Sequence, residues 1–351
     1  MDKEKIKNII DKCLAENPCE ILFRFNEPMS AHTTFRVGGP ADCWIRPLEE
    51  NKEKSDDQET EYIDHLTNNG GSEADNVTRF CVSILNNARS AGVPVFILGG
   101  GANIVVSDRG IRGITLDTAA WKGHTLKENK LIIKCGTTMD EAAECAAEAG
   151  LCGLEFLAGI PGTIGGAVWM NARCYGSEIA DVLEWTEIIC KNEKSNENDF
   201  SGTASNYIIK KTFIKNKNVF GYKRSPFQKM DCLITRACFN LSPGDKNVIL
   251  GKMEKYRQDR KEKGHYLFPC AGSVFKNNHD FGKPAGVIID ELGMRGLKLG
   301  GAQVAPFHGN IIINTGNATA ADIRALAEKV AANVREAAGF ILEPEILFIG
   351  E

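Results

Sequence analysis

The spacing of apolar residues along the chain predicts a mixture of helices and strands. Residues 1–28 open with a helix, and residues 80–92 form a second one. Short apolar runs typical of strands follow at 95–98, 104–106, 113–116 and 131–135. Thr138 and Glu141 have the spacing of a capping box ahead of an alanine-rich stretch, which predicts a helix that ends at Gly150.

A second unit is predicted from about residue 245. It begins with a basic helix at 252–263. Residues 319–322 have capping-box form, apolar residues recur at helical spacing after them, and a last strand is predicted at 341–349. Helices and strands mix without the regular βαβ alternation of a doubly wound sheet, so the pattern favours an α+β fold.

Two segments are polar and interrupt this pattern. Residues 49–77 are acidic and poor in apolar side chains, so they cannot bury a core and are predicted to be a surface insertion without a function of its own. Residues 191–217 are polar and rich in lysine, which predicts an extended loop or a loose hairpin.

Composition narrows the classes of protein to which the chain can belong. Its 351 residues suffice for two or three domains, and 43% hydrophobic with 25% charged residues is ordinary for a globular protein. The net charge of −4 gives no basic surplus for nucleic acid or an anionic membrane, and no apolar run reaches the roughly 18–20 residues that span a bilayer. The 12 cysteines form no C-x-x-C pair, which argues against a zinc or iron–sulfur site. Many of them lie beside apolar residues, as reduced cysteines do, which indicates a reducing cytoplasm.

Two glycine-rich runs are the first candidate ligand-binding segments, one at residues 95–108 and the other at 156–168. Glycine allows tight turns and lets a ligand approach backbone N–H groups, so two such loops suggest a long phosphorylated ligand, such as a dinucleotide, held at two places. Neither loop has the spacing of a P-loop, and the Rossmann pattern is weak in both. Taken alone, the loops are equally consistent with tight turns that serve only the fold.

The two loops belong to a series of seven motifs along the chain: HTTFRVGGPAD (32–42), LGGGANIVVSD (98–108), LAGIPGTIGGAVWMNA (157–172), FGYKRSPF (220–227), AGSVFKN (271–277), GLKLGGAQVAPFHGNIIINTGNATA (296–320) and LEPEI (342–346). With them the chain resembles the UDP-N-acetylenolpyruvoylglucosamine reductase family from about residue 30 to the carboxyl terminus. The resemblance implies a vanillyl-alcohol oxidase-type (PCMH-type) FAD-binding fold and a smaller α+β substrate domain. It implies that residues 1–94, with the acidic insertion, and 95–244 form the FAD-binding part. Residues 245–351 would form the substrate domain, and the last strand would return to the active site.

The resemblance also implies the reaction. NADPH reduces FAD, and hydride then passes to C3 of an enolpyruvyl group while C2 is protonated, which gives UDP-N-acetylmuramate for peptidoglycan. The partners implied are this UDP-sugar substrate and NADPH, with no nucleic acid, membrane or metal, and the protein is expected to be a monomer. FAD contacts are implied at Thr34, Arg36, Val37, Gly38, Gly99, Gly100, Gly101, Ala102, Asn103, Gly159, Ile160, Gly162, Thr163, Gly165 and Gly166. Substrate contacts are implied at Tyr222, Lys276, Asn277 and Gln303.

Two catalytic groups follow from the same resemblance. Ser273 in AGSVFKN corresponds to the proton donor to C2, although a free serine is a weak acid and needs help from its neighbours. Glu345 in LEPEI corresponds to the carboxyl group that stabilises the enol as a hydrogen-bond donor, which requires an apolar setting that keeps it protonated. Glu343 shares its strand face and is expected to be exposed.

The chain departs from the family pattern at two positions. Where the family has arginine directly after the tyrosine of a G-Y-R-x-S motif, this chain has Lys223, and Arg224 follows one residue later. Lysine supplies the positive charge without the planar fork of arginine. In an extended backbone a shift of one residue would point Arg224 to the opposite face, so we expect Lys223 to take the catalytic role, with Arg224 as the alternative. Arg173 stands where the family usually has glycine, and it either reaches into the site or contacts the nucleotide pyrophosphate.

Two other functions stay open on the sequence alone. Another flavoprotein of the same cofactor fold, such as an alcohol oxidase, would share the glycine loops, but the motifs around Ser273 and Glu345 argue against it. A non-catalytic protein that binds flavin or nucleotide sugar would be consistent with the departure at Lys223. Uptake of FAD and its bleaching by NADPH distinguish these functions from the reductase.

Overall fold

The computed structural model describes residues 2–48, 75–192, 207–213 and 217–350. Its helices are α1 (Lys3–Glu16), α2 (Asn76–Ser90), α3 (Met139–Glu148), α4 (Ile164–Met170), α5 (Ile179–Val182), α6 (Lys246–Glu262), α7 (Ala285–Glu291) and α8 (Ala320–Ala338). Its strands are β1 (Glu20–Pro28), β2 (Pro40–Leu48), β3 (Val95–Leu98), β4 (Ile104–Val106), β5 (Ile111–Asp117), β6 (His124–Lys127), β7 (Lys130–Lys134), β8 (Leu151–Cys152), β9 (Arg173–Cys174), β10 (Ser177–Glu178), β11 (Leu183–Lys191), β12 (Tyr207–Phe213), β13 (Cys232–Asn240), β14 (Ser242–Pro243), β15 (Lys298–Leu299), β16 (Ala302–Val304), β17 (Ile312–Asn314) and β18 (Leu347–Ile349). This mixture confirms the predicted α+β class. No helix among these described residues has the length and apolar character needed to cross a bilayer.

The first layer is a mixed four-stranded sheet in the order β1-β2-β5-β3. β1 pairs antiparallel with β2, whereas β5 pairs parallel with both β2 and β3. Helices α1 and α2 share one core with this sheet, in which Ile6, Ile10, Phe80 and Ile84 pack with Ile45. These helix residues recur every three or four positions, so each helix presents a continuous apolar stripe to the core.

The second layer is a five-stranded antiparallel sheet in the order β12-β11-β13-β7-β6. Its core includes Ile133 and Phe239 from the sheet, and helices α3, α4 and α6 contribute to it. Helix α6 buries Ile249 and Met253 here, so it packs with the residues that precede position 245 in the chain.

The third layer is a three-stranded antiparallel sheet, β15-β16-β17, with helices α7 and α8. Ile323, Leu326 and Val330 of α8 share its core with Val304 and Ile312. The chain then returns to the first half of the molecule, because β18 pairs parallel with β4. The last strand therefore lies beside the strand that directly follows the glycines at 99–101.

Local sequence signals account for several element boundaries. The capping boxes predicted at 138–141 and 319–322 are both present, with reciprocal side-chain and backbone hydrogen bonds. The strands predicted at 95–98 and 104–106 coincide with β3 and β4.

The polar segments are described only in part. Of the acidic segment 49–77, residues up to 74 lie outside the described ranges. The prediction extends too far at its carboxyl end, because Asp75 caps helix α2 and Val77 is buried. Of the segment 191–217, residues 207–213 form β12, which pairs antiparallel with β11.

The predicted strand at 341–349 is too long. Only Leu347–Ile349 is a strand, and a single isolated bridge joins Pro344 to Phe275 before it. Pro344 has no N–H group to donate to a ladder, which explains why regular pairing begins only after it.

Candidate active site

A cavity of about 1000 Å³ is lined by residues from all three layers. Its walls include the first glycine loop (99–103), the second glycine loop (159–166, of which 160–163, 165 and 166 line it), residues 222–223, residues 270–273 and Glu345. This volume is at the upper end of the range for small-molecule pockets, which suits a long ligand.

The two glycine loops touch each other in the cavity wall. A Cβ atom on Gly100 would lie 2.8 Å from the Cα atom of Gly162, which is closer than carbon atoms approach without displacement. Gly101 has a φ of +60°, and a Cβ there would lie 2.0 Å from the carbonyl oxygen of His32. Glycine at these positions therefore allows backbone-to-backbone contact that no other residue permits.

Several polar groups in this wall have no hydrogen-bond partner in the described part of the chain. The hydroxyl oxygens of Thr34 and Thr163 are buried without a hydrogen-bond partner in the described part of the chain. The N–H groups of residues 99–103 donate no hydrogen bond to any other described residue. Because buried polar groups are nearly always satisfied, these groups fit a polar ligand, and the close backbone approach fits the pyrophosphate of FAD.

The segments that carry Ser273 and Glu345 run side by side, although they are distant in the sequence. The N–H of Glu345 donates to the carbonyl of Val274 at 2.7 Å. The side-chain amide of Asn103 donates to the carbonyl of Glu345 at 3.0 Å and so joins these segments to the first glycine loop. Both Ser273 and Glu345 line the cavity.

Lys223 reaches the same wall from a tight turn. Its Nζ lies 2.7 Å from Oε1 of Glu345, and the two side chains are 16% and 11% exposed. Its backbone has a φ of 55°, in the left-handed region. Arg224 is exposed, and its guanidinium lies against Gly221 rather than in the cavity lining.

The expectation of an apolar setting for Glu345 is wrong, because an ammonium group is its hydrogen-bonding neighbour. The expected exposure of Glu343 is confirmed, since its side chain is 70% exposed. The prediction placed both glutamates on one face of a regular strand. The segment is not a strand at these positions, so only Glu345 turns into the cavity.

Most of the predicted binding residues belong to the cavity wall: Thr34, Gly99, Gly100, Gly101, Ala102, Asn103, Ile160, Gly162, Thr163, Gly165, Gly166, Tyr222 and Asn277. Six others do not contribute to the described wall: Arg36, Val37, Gly38, Gly159, Lys276 and Gln303.

The four of these six residues that are not glycine have their side chains outside the described cavity wall. Arg36 is exposed, and Val37 is buried in the core of the third layer. Lys276 forms an ion pair with Glu343, and the amide of Gln303 donates to a backbone carbonyl at 3.1 Å.

The carboxyl end of helix α6 and the segment after it contribute groups that no motif predicted. Arg260, Lys263 and His265 line the cavity, and Arg260 Nε donates to the carbonyl of Gly159 at 2.9 Å. A hydrogen bond from Lys263 holds the pKa of Asp259 below its ordinary value. Burial, and next the charge of Arg260, lowers the pKa of His265 to about 4. The basic composition of the helix at 252–263 was the only sequence signal for this group.

Arg173, the second departure from the family pattern, also lines the cavity. Its guanidinium lies 5.6 Å from the centre of the Tyr222 ring, at the range of a cation–π contact. Of the two alternatives left open for Arg173, the structure therefore supports a position at the site. Among the described residues, no cluster of three or more His, Cys, Asp or Glu side chains could hold a metal ion.

Two family models match the chain. The model described as "UDP-N-acetylenolpyruvoylglucosamine reductase, C-terminal domain" matches residues 263–349, and the model described as "FAD binding domain" matches residues 80–195. A protein named UDP-N-acetylenolpyruvoylglucosamine reductase from Treponema denticola is 36% identical, and the match covers 95% of both chains. A protein of the same name from Borrelia garinii subsp. bavariensis is 41% identical over 76% of this chain and 83% of its own.

The fold is also similar to a solved structure. The crystal structure of UDP-N-acetylenolpyruvylglucosamine reductase (MurB) from Thermus caldophilus superimposes with a TM-score of 0.65 at 27% identity. The match covers 94% of this chain and 100% of that one. Together with the FAD-binding family model, this match confirms the predicted fold class.

Proposed function

The chain belongs to the UDP-N-acetylenolpyruvoylglucosamine reductase family, and on that premise we propose its reaction. It reduces UDP-N-acetylglucosamine enolpyruvate to UDP-N-acetylmuramate for peptidoglycan, with NADPH as the reductant and FAD as the bound cofactor. The observation that carries the proposal is the convergence of Ser273, Lys223 and Glu345 on the cavity that the two glycine loops line.

The glycine-loop wall would hold the cofactor. Gly99–Asn103 offer backbone N–H groups to its phosphates, and the hydroxyls of Thr34 and Thr163 are the further donors of this wall. When bound, FAD supplies the hydride chemistry, in which it accepts hydride from NADPH and donates hydride to C3 of the enolpyruvyl group. Gly162, Gly165 and Gly166 keep the second loop close enough to enclose it.

Lys223 and Glu345 stabilise the charge that hydride addition creates. That charge develops on the substrate carboxylate and C2, and a cation fixed beside it lowers the barrier. The Lys223 ammonium has three hydrogen-bond donors, so it can hold Glu345 with one and the substrate with another. Glu345 pairs with this ammonium, with 2.7 Å between its Oε1 and Nζ of Lys223, and so holds the cation at the cavity wall.

Ser273 delivers the proton to C2. A serine hydroxyl is a weak acid, so the alkoxide that remains needs a positive charge nearby. Lys223 lines the same cavity and supplies that charge. Hydride at C3 and a proton at C2 together convert the carbon–carbon double bond into a single bond, and no other atom is exchanged.

We propose residues 1–94 and 95–244 as the FAD-binding part and 245–351 as the substrate domain, with helix α6 joining them through its packing on the second layer. We also propose a cytoplasmic monomer. Twelve free cysteines and a net charge of −4 support a reducing compartment without nucleic-acid partners.

An anaerobic flavin titration tests the reaction. The protein with bound FAD is expected to lose its flavin absorbance when NADPH is added and to regain it when the enolpyruvyl substrate follows. The Ser273→Ala variant is expected to lose its absorbance normally but to regain it about 10²–10⁴ times more slowly, because only proton transfer is impaired.

Other outcomes identify the alternatives. A protein that takes up no added FAD contradicts the proposal. A flavoprotein that NADPH does not bleach, but an alcohol does, is an oxidase or dehydrogenase of the same cofactor fold. Bleaching by NADPH without recovery on adding the enolpyruvyl substrate excludes this substrate.

A further inference from the structure

Asn171 is a fully buried asparagine at the carboxyl end of helix α4. Its side-chain amide Nδ2 donates to the carbonyl of Gly221 at 3.0 Å, and its Oδ1 accepts from the N–H of Ala180 at 3.0 Å. Its backbone has a φ of 47°, a left-handed conformation that asparagine tolerates better than most residues. The residue therefore ends the helix and also holds the turn that carries Lys223.

That turn is tight and strained. Gly221 and Arg224 exchange two backbone hydrogen bonds of 2.9 and 3.0 Å, so Tyr222 and Lys223 form its tip. Lys223 has a φ of 55°, which lysine rarely adopts. Such a conformation persists only where the surrounding structure imposes it.

The carboxyl end of helix α4 holds the Lys223 turn from two sides. Asn171 binds the carbonyl of Gly221 on one side of the turn. On the other side, the hydroxyl of Ser225 donates to the carbonyl of Trp169 at 2.6 Å. Both Trp169 and Asn171 belong to the last turn of one short helix, so the turn is fixed to a rigid element.

The same helix begins at the second glycine loop, where Thr163 is its N-cap. One rigid element therefore carries the proposed cofactor wall at one end and the Lys223 turn at the other. We propose that Asn171 is a positioning residue for Lys223: its amide fixes the turn so that the ammonium stands beside Glu345 in register with the cofactor wall. This proposal rests on the proposed role of Lys223.

Asn171→Asp removes the donor to Gly221 and adds a buried carboxylate, a cost that the control variant shares. Aspartate keeps the shape, the left-handed tolerance and the acceptor for Ala180, but it cannot donate to Gly221. Asn314→Asp is the matched control, because Asn314 is 4% exposed and its Nδ2 donates to the carbonyl of Phe35 at 3.0 Å, away from the turn.

The first measurement needs no turnover. Lysines of the FAD-loaded protein are acetylated with a limiting reagent, and the extent at Lys223 is read by mass spectrometry relative to Lys276. Asn171→Asp is expected to raise the rate at Lys223 about threefold or more, because a released turn opens locally more often. Asn314→Asp is expected to leave the acetylation rate at Lys223 unchanged. Unchanged reactivity in Asn171→Asp overturns the proposal, whether or not the proposed reaction is correct.

The second measurement separates positioning from mere folding. In Asn171→Asp, recovery of flavin absorbance by the enolpyruvyl substrate is expected to slow about tenfold to a hundredfold, while bleaching by NADPH is unaffected. In a Lys223→Ala background, Asn171→Asp is expected to add no further loss, because it acts only through Lys223. Additive losses overturn the proposal. If Asn171→Asp does not fold, Ser225→Ala removes the other tie to α4, and the same criteria apply.

Discussion

Lys223 combines two features that are individually unfavourable. A left-handed backbone costs a residue with a side chain about 1–2 kcal/mol, and burying an ammonium is costly unless it is paired. The pair with Glu345 at 2.7 Å and the hydrogen bond from Gln228 to its carbonyl at 3.1 Å offset these costs. Strained backbone of this kind clusters at functional sites, which supports the role proposed for Lys223.

Separate alanine variants decide between the two basic residues of this turn. Lys223→Ala is expected to slow recovery of flavin absorbance by the enolpyruvyl substrate about 10²–10³-fold, since it removes a fixed cation from the developing charge. Arg224→Ala is expected to change the rate by about twofold or less, as for exposed charges, because its guanidinium is outside the described cavity wall. Both rates are measured by stopped flow under anaerobic conditions. Loss of turnover only in Arg224→Ala would exclude the role assigned to Lys223.

The sequence predicted individual residues only where a motif names them. The prediction separated Lys223 from Arg224 by the alternation of side chains along an extended strand. In the structure, residues 221–224 instead form a tight turn, which points the two side chains apart. Arg260 and Lys263 were missed because helical spacing alone does not tell which cations face a cavity. Gln303 was predicted from motif membership, and its amide is instead occupied by a nearby backbone carbonyl.

At the scale of elements, the two glycine loops behave as one contact rather than two separate cradles. Gly100 and Gly162 approach so closely that a side chain on Gly100 would push the loops apart. Helix α4 then leads from the second loop towards the Lys223 turn. The loops and α4 therefore form one connected framework between the proposed cofactor wall and Lys223.

Gly100→Ala tests this contact. The added Cβ would meet the Cα and carbonyl carbon of Gly162 at 2.8 and 3.1 Å, so the loops must separate. We expect overpacking to cost about 1–3 kcal/mol of stability, and FAD affinity to fall about tenfold or more. Urea unfolding and FAD titration by fluorescence measure these effects.

Gly251→Ala is the control for Gly100→Ala. Gly251 lies inside helix α6, and beyond the backbone of that helix and the neighbouring residues no described atom lies within 4 Å of its added Cβ. Alanine there is expected to stabilise the protein by about 0.5–1 kcal/mol without changing FAD affinity. Normal FAD affinity in Gly100→Ala would show that the loop contact does not shape the cofactor wall.

Elements with strong local signals were predicted well, and those fixed by tertiary pairing were not. The two capping boxes define the starts of α3 and α8 because their hydrogen bonds join residues three positions apart. The start of α2 was missed because the acidic segment obscured the cap at Asp75. The last strand was predicted too long because alternation cannot reveal which partner is available on either side of Pro344.

The whole molecule brings together residues that no local pattern could pair. Asn103 and Glu345 are 242 positions apart and share a hydrogen bond. The pairing of β18 with β4 closes the last strand onto the first glycine loop, so the cavity depends on the assembly of all three layers. From the sequence, only the order of the motifs and their family resemblance indicated this convergence.

The pH dependence of stability tests how His265 is accommodated in this assembly. Its pKa is lowered to about 4, first by burial and then by Arg260, and its Nδ1 is buried without a partner among the described residues. The unfolded chain takes up a proton near pH 6.5, whereas the folded protein does so only near pH 4. The contribution of neutral His265 to the free energy of unfolding is therefore complete above pH 6.5 and is lost as the pH falls from 6.5 towards 4.

Between pH 7.5 and pH 5, we expect the free energy of unfolding to fall by about 1–2 kcal/mol because of His265. The described carboxyl groups whose pKa the fold lowers, which are Glu141, Asp259 and Asp322, lose their stabilisation below this window. Asp322, whose pKa is lowered by a hydrogen bond from the backbone N–H of Thr319, loses its stabilisation only below its ordinary value of 3.8. Urea unfolding with excess FAD at both pH values measures the loss. In His265→Gln this loss of unfolding free energy should be smaller by the same amount of about 1–2 kcal/mol. In the control His279→Gln, which changes an exposed histidine, the loss should stay the same. An equal loss in His265→Gln and the unaltered protein would show that His265 is not held neutral by the fold.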